Sequence, residues 1–504
     1  MKTHRAHRLP RLFATAAATA LLLTGCGAGG SDSGDASDGA ARGSDAFPAP
    51  SAPRGDTDAD EDGRTAAPDH LSTFALDVDT ASYGYARRTL TEGQRPDPST
   101  IRPEEFVNSF RQDYARPDGN GFSVTVDGAR TGDDGWSLVR VGLATRTAEK
   151  QDARPPAALT FVIDVSGSMG EPGRLDLARS ALATMTDRLR DDDSVAIVTF
   201  SGEAGTVLPP TRLGGHRGRV HEAVSGLEPS DSTNLGAGVE TGYATAVEGL
   251  RKGATNRVVL ISDALANTGD TDADSILERV STARREHGIT LFGVGVGSDY
   301  GDALMERLAD KGDGHTTYVS TEDEATEVFS TDLPQNVELT ARDAKAQVAF
   351  DPRTVTEFRL VGYDDRRVAD YDFRDDRVDG GEVGPGHTVT ALYAVRTRPG
   401  ADGHLATATV RWLDPDTRTP HEASGRLEGA GLHDGLTDAP LRFRVTTTAA
   451  YFADALRRPE TPLPGAPTLD ELRETAAALS VRTEDEQVRG LAEAIADASR
   501  LDLS

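Results

Sequence analysis

The sequence predicts a doubly wound α/β domain with a mostly parallel sheet, flanked by an antiparallel β-sandwich and C-terminal helices. Three observations carry this. Between residues 156 and 335, short runs rich in β-branched side chains alternate with stretches of helical period, the pattern of a parallel sheet covered on both faces. Beyond residue 335 the hydrophobic period drops to two, with turns rich in Asp, Gly and Pro, as antiparallel strands require. From Ala449 onward the apolar spacing becomes helical again.

The N-terminus reads as an export signal over residues 1–25. Lys2, Arg5, Arg8 and Arg11 form a positive stretch without acid, followed by a small and apolar run from Leu12 to Leu23. That run is long enough for a signal segment and short for a membrane span. Leu23-Thr24-Gly25-Cys26 resembles the bacterial lipobox, and Cys26 is the sole cysteine of the chain. We therefore expect a lipid on Cys26, a membrane attachment through it, and a cell-membrane location facing outside the cytoplasm. Residues 26–68 are Gly, Ser, Asp, Ala and Pro with almost no large apolar side chain, so they cannot bury enough surface to offset ordering entropy and read as a flexible tether.

Residues 69–155 form a mixed N-terminal region. A helix is expected after Thr80, and strands at Phe122 to Val126 and Trp136 to Leu143 are candidates to complete the sandwich. The α/β domain spans residues 156–335, with strands expected at Ala157 to Asp164, Val195 to Phe200, Val258 to Asp263, Ile289 to Gly295 and Thr317 to Val319. Between them, Leu175, Ala178, Leu182, Met185 and Leu189 share one helical face, and Leu235, Val239, Tyr243, Val247 and Leu250 another. Two shorter helical stretches follow at Ile276 to Ala283 and Ala325 to Phe329. In the sandwich region, 336–448, the strands are Ala346 to Phe350, Phe358 to Gly362, Thr388 to Val395, Ala406 to Trp412 and Leu441 to Thr446. The helical region, 449–504, carries two amphipathic helices marked by Leu472, Ala476, Leu479 and by Val488, Leu491, Ile495.

The balance of 54 basic against 82 acidic residues gives a net charge of −28 over 504 residues. Such a chain repels phosphate backbones, and nucleic acid is excluded as an expected partner.

In a doubly wound sheet, ligands collect beyond the carboxyl ends of the strands. The first strand of the domain runs into Asp164-Val165-Ser166-Gly167-Ser168, Ser232-Thr233-Asn234 stands at the entry of a later helix, and the strand RVVLIS ends in Asp263. Asp164, Ser166, Ser168, Thr233 and Asp263 fall in the order and setting of the metal-ion-dependent adhesion site of von Willebrand factor A (VWA) domains, which this region resembles. FALDVDTASYGYARR before the domain, LADKGDGHTTYV within it, and RLVGYDDR and GEVGPGHTVTALY after it are similar to one bacterial VWA lipoprotein family with its own flanks. The resemblance implies a Rossmann-like fold and an envelope binding module. It also implies that the five residues hold one Mg²⁺ or Mn²⁺, with the carboxylates binding directly or through water. Hydroxyls and carboxylates suit a hard cation, and a site with few formal charges leaves the metal electrophilic enough to take a carboxylate from a protein partner. No enzymatic activity is expected; the alternative is a metal-dependent envelope hydrolase or assembly factor. One departure from the pattern is Ala264, where many relatives carry Gly.

Other signals point elsewhere. Gly293, Gly295 and Gly297 are too closely spaced for a dinucleotide fingerprint, and His221-Glu222 and His421-Glu422 lack the second histidine of a zinc protease. No G-x-S-x-G is present to make Ser166 or Ser168 a nucleophile. Asp77, Asp79, Thr80 and Ser82 read as a strand end and helix cap in preference to a second metal cluster, and His387 as a strand residue at the edge of the sandwich.

Overall fold

The computed structural model describes residues 70–132, 135–147, 154–230, 232–263, 273–297, 305, 307–309, 312, 314–329, 339–378, 380–415 and 417–501. All belong to one compact unit running from Asp58 to Ser504. The signal, Cys26 and the whole of the tether lie outside the described residues, as does Ala264.

The N-terminal region supplies β1 (Leu71–Ala75), α1 (Ala81–Thr91), α2 (Pro103–Asn108), β2 (Phe122–Arg130) and β3 (Trp136–Thr145). The α/β domain follows with β4 (Ala157–Asp164), α3 (Leu175–Arg188), β5 (Ser194–Phe200), β6 (Ala204–Arg212), α4 (Arg217–Ser225), α5 (Leu235–Glu248), β7 (Thr255–Ser262), α6 (Ala273–His287), β8 (Thr290–Val296), β9 (His315–Val319) and α7 (Glu322–Glu327). The remainder comprises β10 (Ala341–Phe350), β11 (Val355–Val361), β12 (Gly381–Val383), β13 (Thr388–Thr397), β14 (His404–Leu413), β15 (Pro420–Glu428), α8 (Leu441–Arg457), α9 (Leu469–Thr483) and α10 (Glu486–Arg500).

The α/β sheet has the order β6-β5-β4-β7-β8-β9, parallel except for β6. Its strands other than β6 are buried on both faces because helices cover both. Leu159, Phe161 and Ile163 pack on one side with Ala178, Leu182 and Met185, while Val162, Val198 and Phe200 meet Leu235, Val239 and Tyr243 on the other. Val247 and Leu250, expected on that second face, are exposed. The strand β6 escapes the sequence pattern because it contains Pro209 and Pro210; an edge strand tolerates proline since one row of its backbone groups needs no partner.

The sandwich is built from both flanks. One sheet has the order β1-β10-β14-β15 with β12 also on β10, and the other β11-β13-β3-β2. Pairing of β3 with β13 runs from Trp136 opposite Arg396 to Ala144 opposite Thr388, so the N-terminal strands do complete the sandwich. Between the sheets lie Phe74, Val141, Phe350, Phe358, Tyr393 and Val410. The outer face of the second sheet, through Leu138, Leu392 and Ala394, packs on α1, α2 and the C-terminal helices.

Two expectations fail here. Leu441 to Thr446 is the start of α8 and not a strand. Its period-two apolar pattern is misleading because Phe443, Val445 and Thr446 through Ala453 are all buried; a helix enclosed on nearly every side has no polar stripe to show its period. His387 lies just before β13, an interior strand, and its ring stands 6.0 Å from that of His315 at the start of β9. It marks the junction between the α/β domain and the sandwich, where Arg257 at the start of β7 also meets Glu382 of β12. The junction thus uses the amino ends of β7 and β9. Their carboxyl ends, with Asp263 beyond β7, point the other way.

Candidate metal centre

The last residue of β4, Asp164, is fully buried. Its Oδ1 accepts from Ser166 N at 2.8 Å and its Oδ2 from the Ser262 hydroxyl at 2.6 Å. One carboxylate therefore turns the loop and ties β4 to β7, its neighbour. Burial pushes this carboxyl above the usual range, against the lowering effect of the hydrogen bonds from Ser262 and Ser166, and the nearby Asp263 raises it further. A cation beside it would offset that cost.

The 3₁₀ turn Gly167–Gly170 then brings the Ser166 and Ser168 hydroxyls to 3.0 Å from one another. Ser168 Oγ donates to Asp263 Oδ1, also at 3.0 Å. The two serine hydroxyls thus face each other and the carboxylates of Asp263 and Asp164. A six-coordinate cation with oxygens at about 2.1 Å places adjacent ligands about 3.0 Å apart, so both spacings fit the edges of such a polyhedron. Among the described residues no group of three or more His, Cys, Asp or Glu could hold a metal ion; a cation here would rest on hydroxyls together with two carboxylates.

Thr233 sits buried in the loop before α5. Ser230 N donates to Val165 O at 2.6 Å, and Asn234 N to Ser201 O at 2.7 Å, which seats this loop against the serine loop and the end of β5. The N-cap of α5 is Asn234, whose side chain accepts from Ala237 N at 3.1 Å, while Ser232 adopts a left-handed backbone with φ of 55°. Thr233 therefore stands one residue before the cap. The structure links Asp164, Ser166, Ser168 and Asp263 in one hydrogen-bonded set and places Thr233 on the loop docked against it.

Sequence reasoning missed Arg174. Its guanidinium pairs with Asp263 Oδ2, donates to Ser168 O at 3.2 Å and reaches Glu171 at 3.0 Å. The signal was only an arginine six residues past Ser168, at the start of a helix. Gly297 explains the last of the closely spaced glycines: its φ is +83°, and a Cβ there would stand 2.6 Å from Arg174 Nε.

The tempting second cluster is a clamp. Asp79 accepts from Thr316 N at 2.8 Å, from Thr316 Oγ1 at 3.1 Å and from Arg366 at 3.3 Å; Asp77 accepts from Asp79 N at 2.9 Å and pairs with Arg366 at 3.4 Å. Thr80 occupies the N-cap of α1 without a side-chain cap, and the Ser82 hydroxyl donates to Thr100 O at 2.7 Å.

This sheet, with polar loops gathered at its carboxyl ends, defines a von Willebrand factor type A domain, and that family matches residues 158–331. The flanks match two further descriptions, "von Willebrand factor" at residues 57–136 and "Uncharacterized protein YfbK, C-terminal" at residues 336–402. The chain is 36% identical over 414 residues to YfbK of Escherichia coli (strain K12), covering 77% of this chain and 72% of that one. It belongs to the bacterial VWA-domain family that includes YfbK. The protein sll0103 of Synechocystis is 26% identical over 192 residues, a match covering 38% of this chain and 44% of that protein. Among solved structures, a von Willebrand factor type A protein from Catenulispora acidiphila aligns with a TM-score of 0.46 at 17% identity, over 76% of this chain and 91% of that one. The class of domain is one of protein interaction and adhesion.

Proposed function

We propose that the protein is a lipid-anchored envelope binding module whose VWA domain holds one Mg²⁺ or Mn²⁺ with Asp164, Ser166, Ser168, Thr233 and Asp263, and grips a protein partner through that partner's Asp or Glu. The observation that carries this is the pair of 3.0 Å oxygen spacings, Ser166 to Ser168 and Ser168 to Asp263, which fit adjacent ligands of one small cation. Lipid attachment at Cys26 rests on the sequence alone, and places the domain outside the cytoplasm on a tether. Binding is favoured over hydrolysis because, among the described residues, the serine hydroxyls have each other and a carboxylate as hydrogen-bond partners where a nucleophilic serine is activated by an adjacent general base.

Melting the full-length protein with and without Mg²⁺ tests the centre. A cation bound only by the folded state, at about 100 times its dissociation constant, adds roughly 2.7 kcal/mol. Capture of a partner from envelope extract should be lost in EDTA. A melting curve indifferent to Mg²⁺, Mn²⁺ and Ca²⁺, with capture that survives EDTA, overturns the metal bridge. Cys26→Ser should shift the protein out of the membrane fraction or leave it unprocessed; mature-size protein still pelleting with membranes overturns the anchor.

A further inference from the structure

The junction between the α/β domain and the sandwich holds a cavity of about 210 Å³, lined by His315 and Thr317 of β9, by His387 and Thr388 at the entry of β13, and by Thr80 before α1. His315 is 6% exposed, and its Nε2 is sealed from solvent with no hydrogen-bond partner. The Nδ1 of His387 is in the same state. A buried polar atom left without a partner costs free energy, and here two such nitrogens meet from different domains. Both rings are held neutral, chiefly by burial, so each keeps one nitrogen with a free lone pair. On His315 the other nitrogen, Nδ1, stands 3.7 Å from Asp79 Oδ1. A carboxylate on that side favours the proton there and leaves the lone pair on Nε2, as in histidines that ligate metal. The ring centroids of His315 and His387 are 6.0 Å apart. With Zn–N bonds of about 2.1 Å and a nitrogen about 1.1 Å from its ring centre, two imidazoles on one zinc ion have centroids at most about 6.4 Å apart. The observed separation lies inside that limit. A bare ion at bonding distance needs less room than a water at hydrogen-bonding distance, so nitrogens closed to solvent remain open to a metal.

We propose that His315 Nε2 and His387 Nδ1 form a second metal site, at the junction, for a borderline divalent cation such as Zn²⁺. Imidazole nitrogens suit Zn²⁺, Cu²⁺ and Ni²⁺, where hydroxyls and carboxylates suit Mg²⁺. The site is therefore separate from the proposed Mg²⁺ centre and does not depend on it. Two protein nitrogens leave the remaining positions to water, and the cavity supplies both that water and the entry path a metal needs. Because β9 belongs to the α/β domain and β13 to the sandwich, one ion bridges the two and stiffens their junction.

The test is calorimetric titration of the full-length protein with Zn²⁺ in excess Mg²⁺. Wild type should take up one Zn²⁺ at this site and melt at a higher temperature with it. His315→Gln and His387→Gln, made singly, should each weaken Zn²⁺ by about tenfold or more and lose the shift in melting temperature. Ser166→Ala should bind Zn²⁺ as wild type does, which separates this site from the proposed Mg²⁺ centre. The exposed His216 serves as the surface control, and His216→Gln should also leave Zn²⁺ uptake unchanged. Should a buried-histidine variant fail to fold, X-ray absorption at the zinc edge of the Zn²⁺-loaded wild type decides, with two imidazoles per zinc expected. No uptake of Zn²⁺ by wild type, unchanged uptake in either buried-histidine variant, or a zinc edge without imidazole overturns the proposal. Loss of Zn²⁺ in Ser166→Ala, with both histidine variants unaffected, moves the ion to the other centre and overturns it as well.

Discussion

Two clusters in this molecule look alike in sequence and differ in use. At the carboxyl ends of the α/β strands, Asp164 and Asp263 stand with Ser166, Ser168 and Arg174; at the junction with the sandwich, Asp77 and Asp79 stand with Thr316, His315 and Arg366. Each has two buried carboxylates, hydroxyls and one arginine. At the junction, the carboxylates of Asp79 and Asp77 are taken by donors from distant parts of the chain, a backbone amide of β9 and the guanidinium of Arg366. The pair is a fastener. At the other end, the Ser166 and Ser168 hydroxyls stand 3.0 Å apart and Ser168 stands 3.0 Å from Asp263, spacings that fit ligands on one cation. What separates the proposed metal centre from the clamp is the spacing of the neutral oxygens, not the number of carboxylates.

The comparison can be broken or sharpened at several scales. The largest effect should come from deleting everything before Pro156. The deletion removes β3 from β13 and β1 from β10, leaving long unpaired edges that invite aggregation. Size-exclusion chromatography and urea unfolding should show an associated, non-cooperative species; a monomer with one cooperative transition would mean that the sandwich does not need its N-terminal strands.

Next comes the clamp itself. Asp79→Ala leaves the Thr316 amide without its buried acceptor and takes one of two carboxylates from Arg366, which keeps Asp77, and should cost about 3 kcal/mol in denaturant unfolding. The increment added by Mg²⁺ should be unchanged. Loss of that increment with the stability intact would exchange the roles assigned to the two clusters.

Acid should act at the junction. His387 is pushed down from 6.5 to about 4, chiefly by burial and then by the charges of Arg257 and Arg116, and His315 is lowered well below its ordinary value by burial, by His387 and by Arg257 and Arg366. Both are neutral in the folded state near pH 6.5, while the unfolded chain takes up protons there. Stability contributed by the neutral rings is therefore present above about pH 6.5 and lost as pH falls toward 4, on the order of 3 kcal/mol for His387. The loss should be measurable as a falling urea midpoint, and His387→Gln should flatten it. An unchanged slope in that variant would remove the histidine from the account.

The smallest stability effect belongs to the proposed metal ligands. The Ser166 hydroxyl faces Ser168 and the Asp164 carboxylate, so Ser166→Ala should cost about 1 kcal/mol without metal and yet erase the Mg²⁺ increment. Should the variant keep the full increment, Ser166 is not a ligand.

Much of the fold is legible because burial on both faces of a parallel sheet leaves continuous apolar strands, as in β4 and β7, and because α9 and α10 keep one polar side. Two segments are illegible for physical reasons. The prolines of β6 read as a break although an edge accepts them, and α8 hides its period because it is enclosed by the outer sheet face and its neighbouring helices.

Sequence alone determined the strand order of chemistry along the chain: which residues leave β4, enter α5 and leave β7, and that these are hydroxyls and carboxylates fit for a hard cation. It could do so because each loop's composition is local. Only the tertiary structure decided which oxygens meet. Asp164 is joined to Ser262 and Ser168 to Asp263 across nearly a hundred residues, Asp77 and Asp79 are spent on Arg366 nearly three hundred residues away, and Arg174 enters the centre because Gly297 leaves it room. Such pairings are set by packing between distant segments, for which no spacing rule along one chain exists.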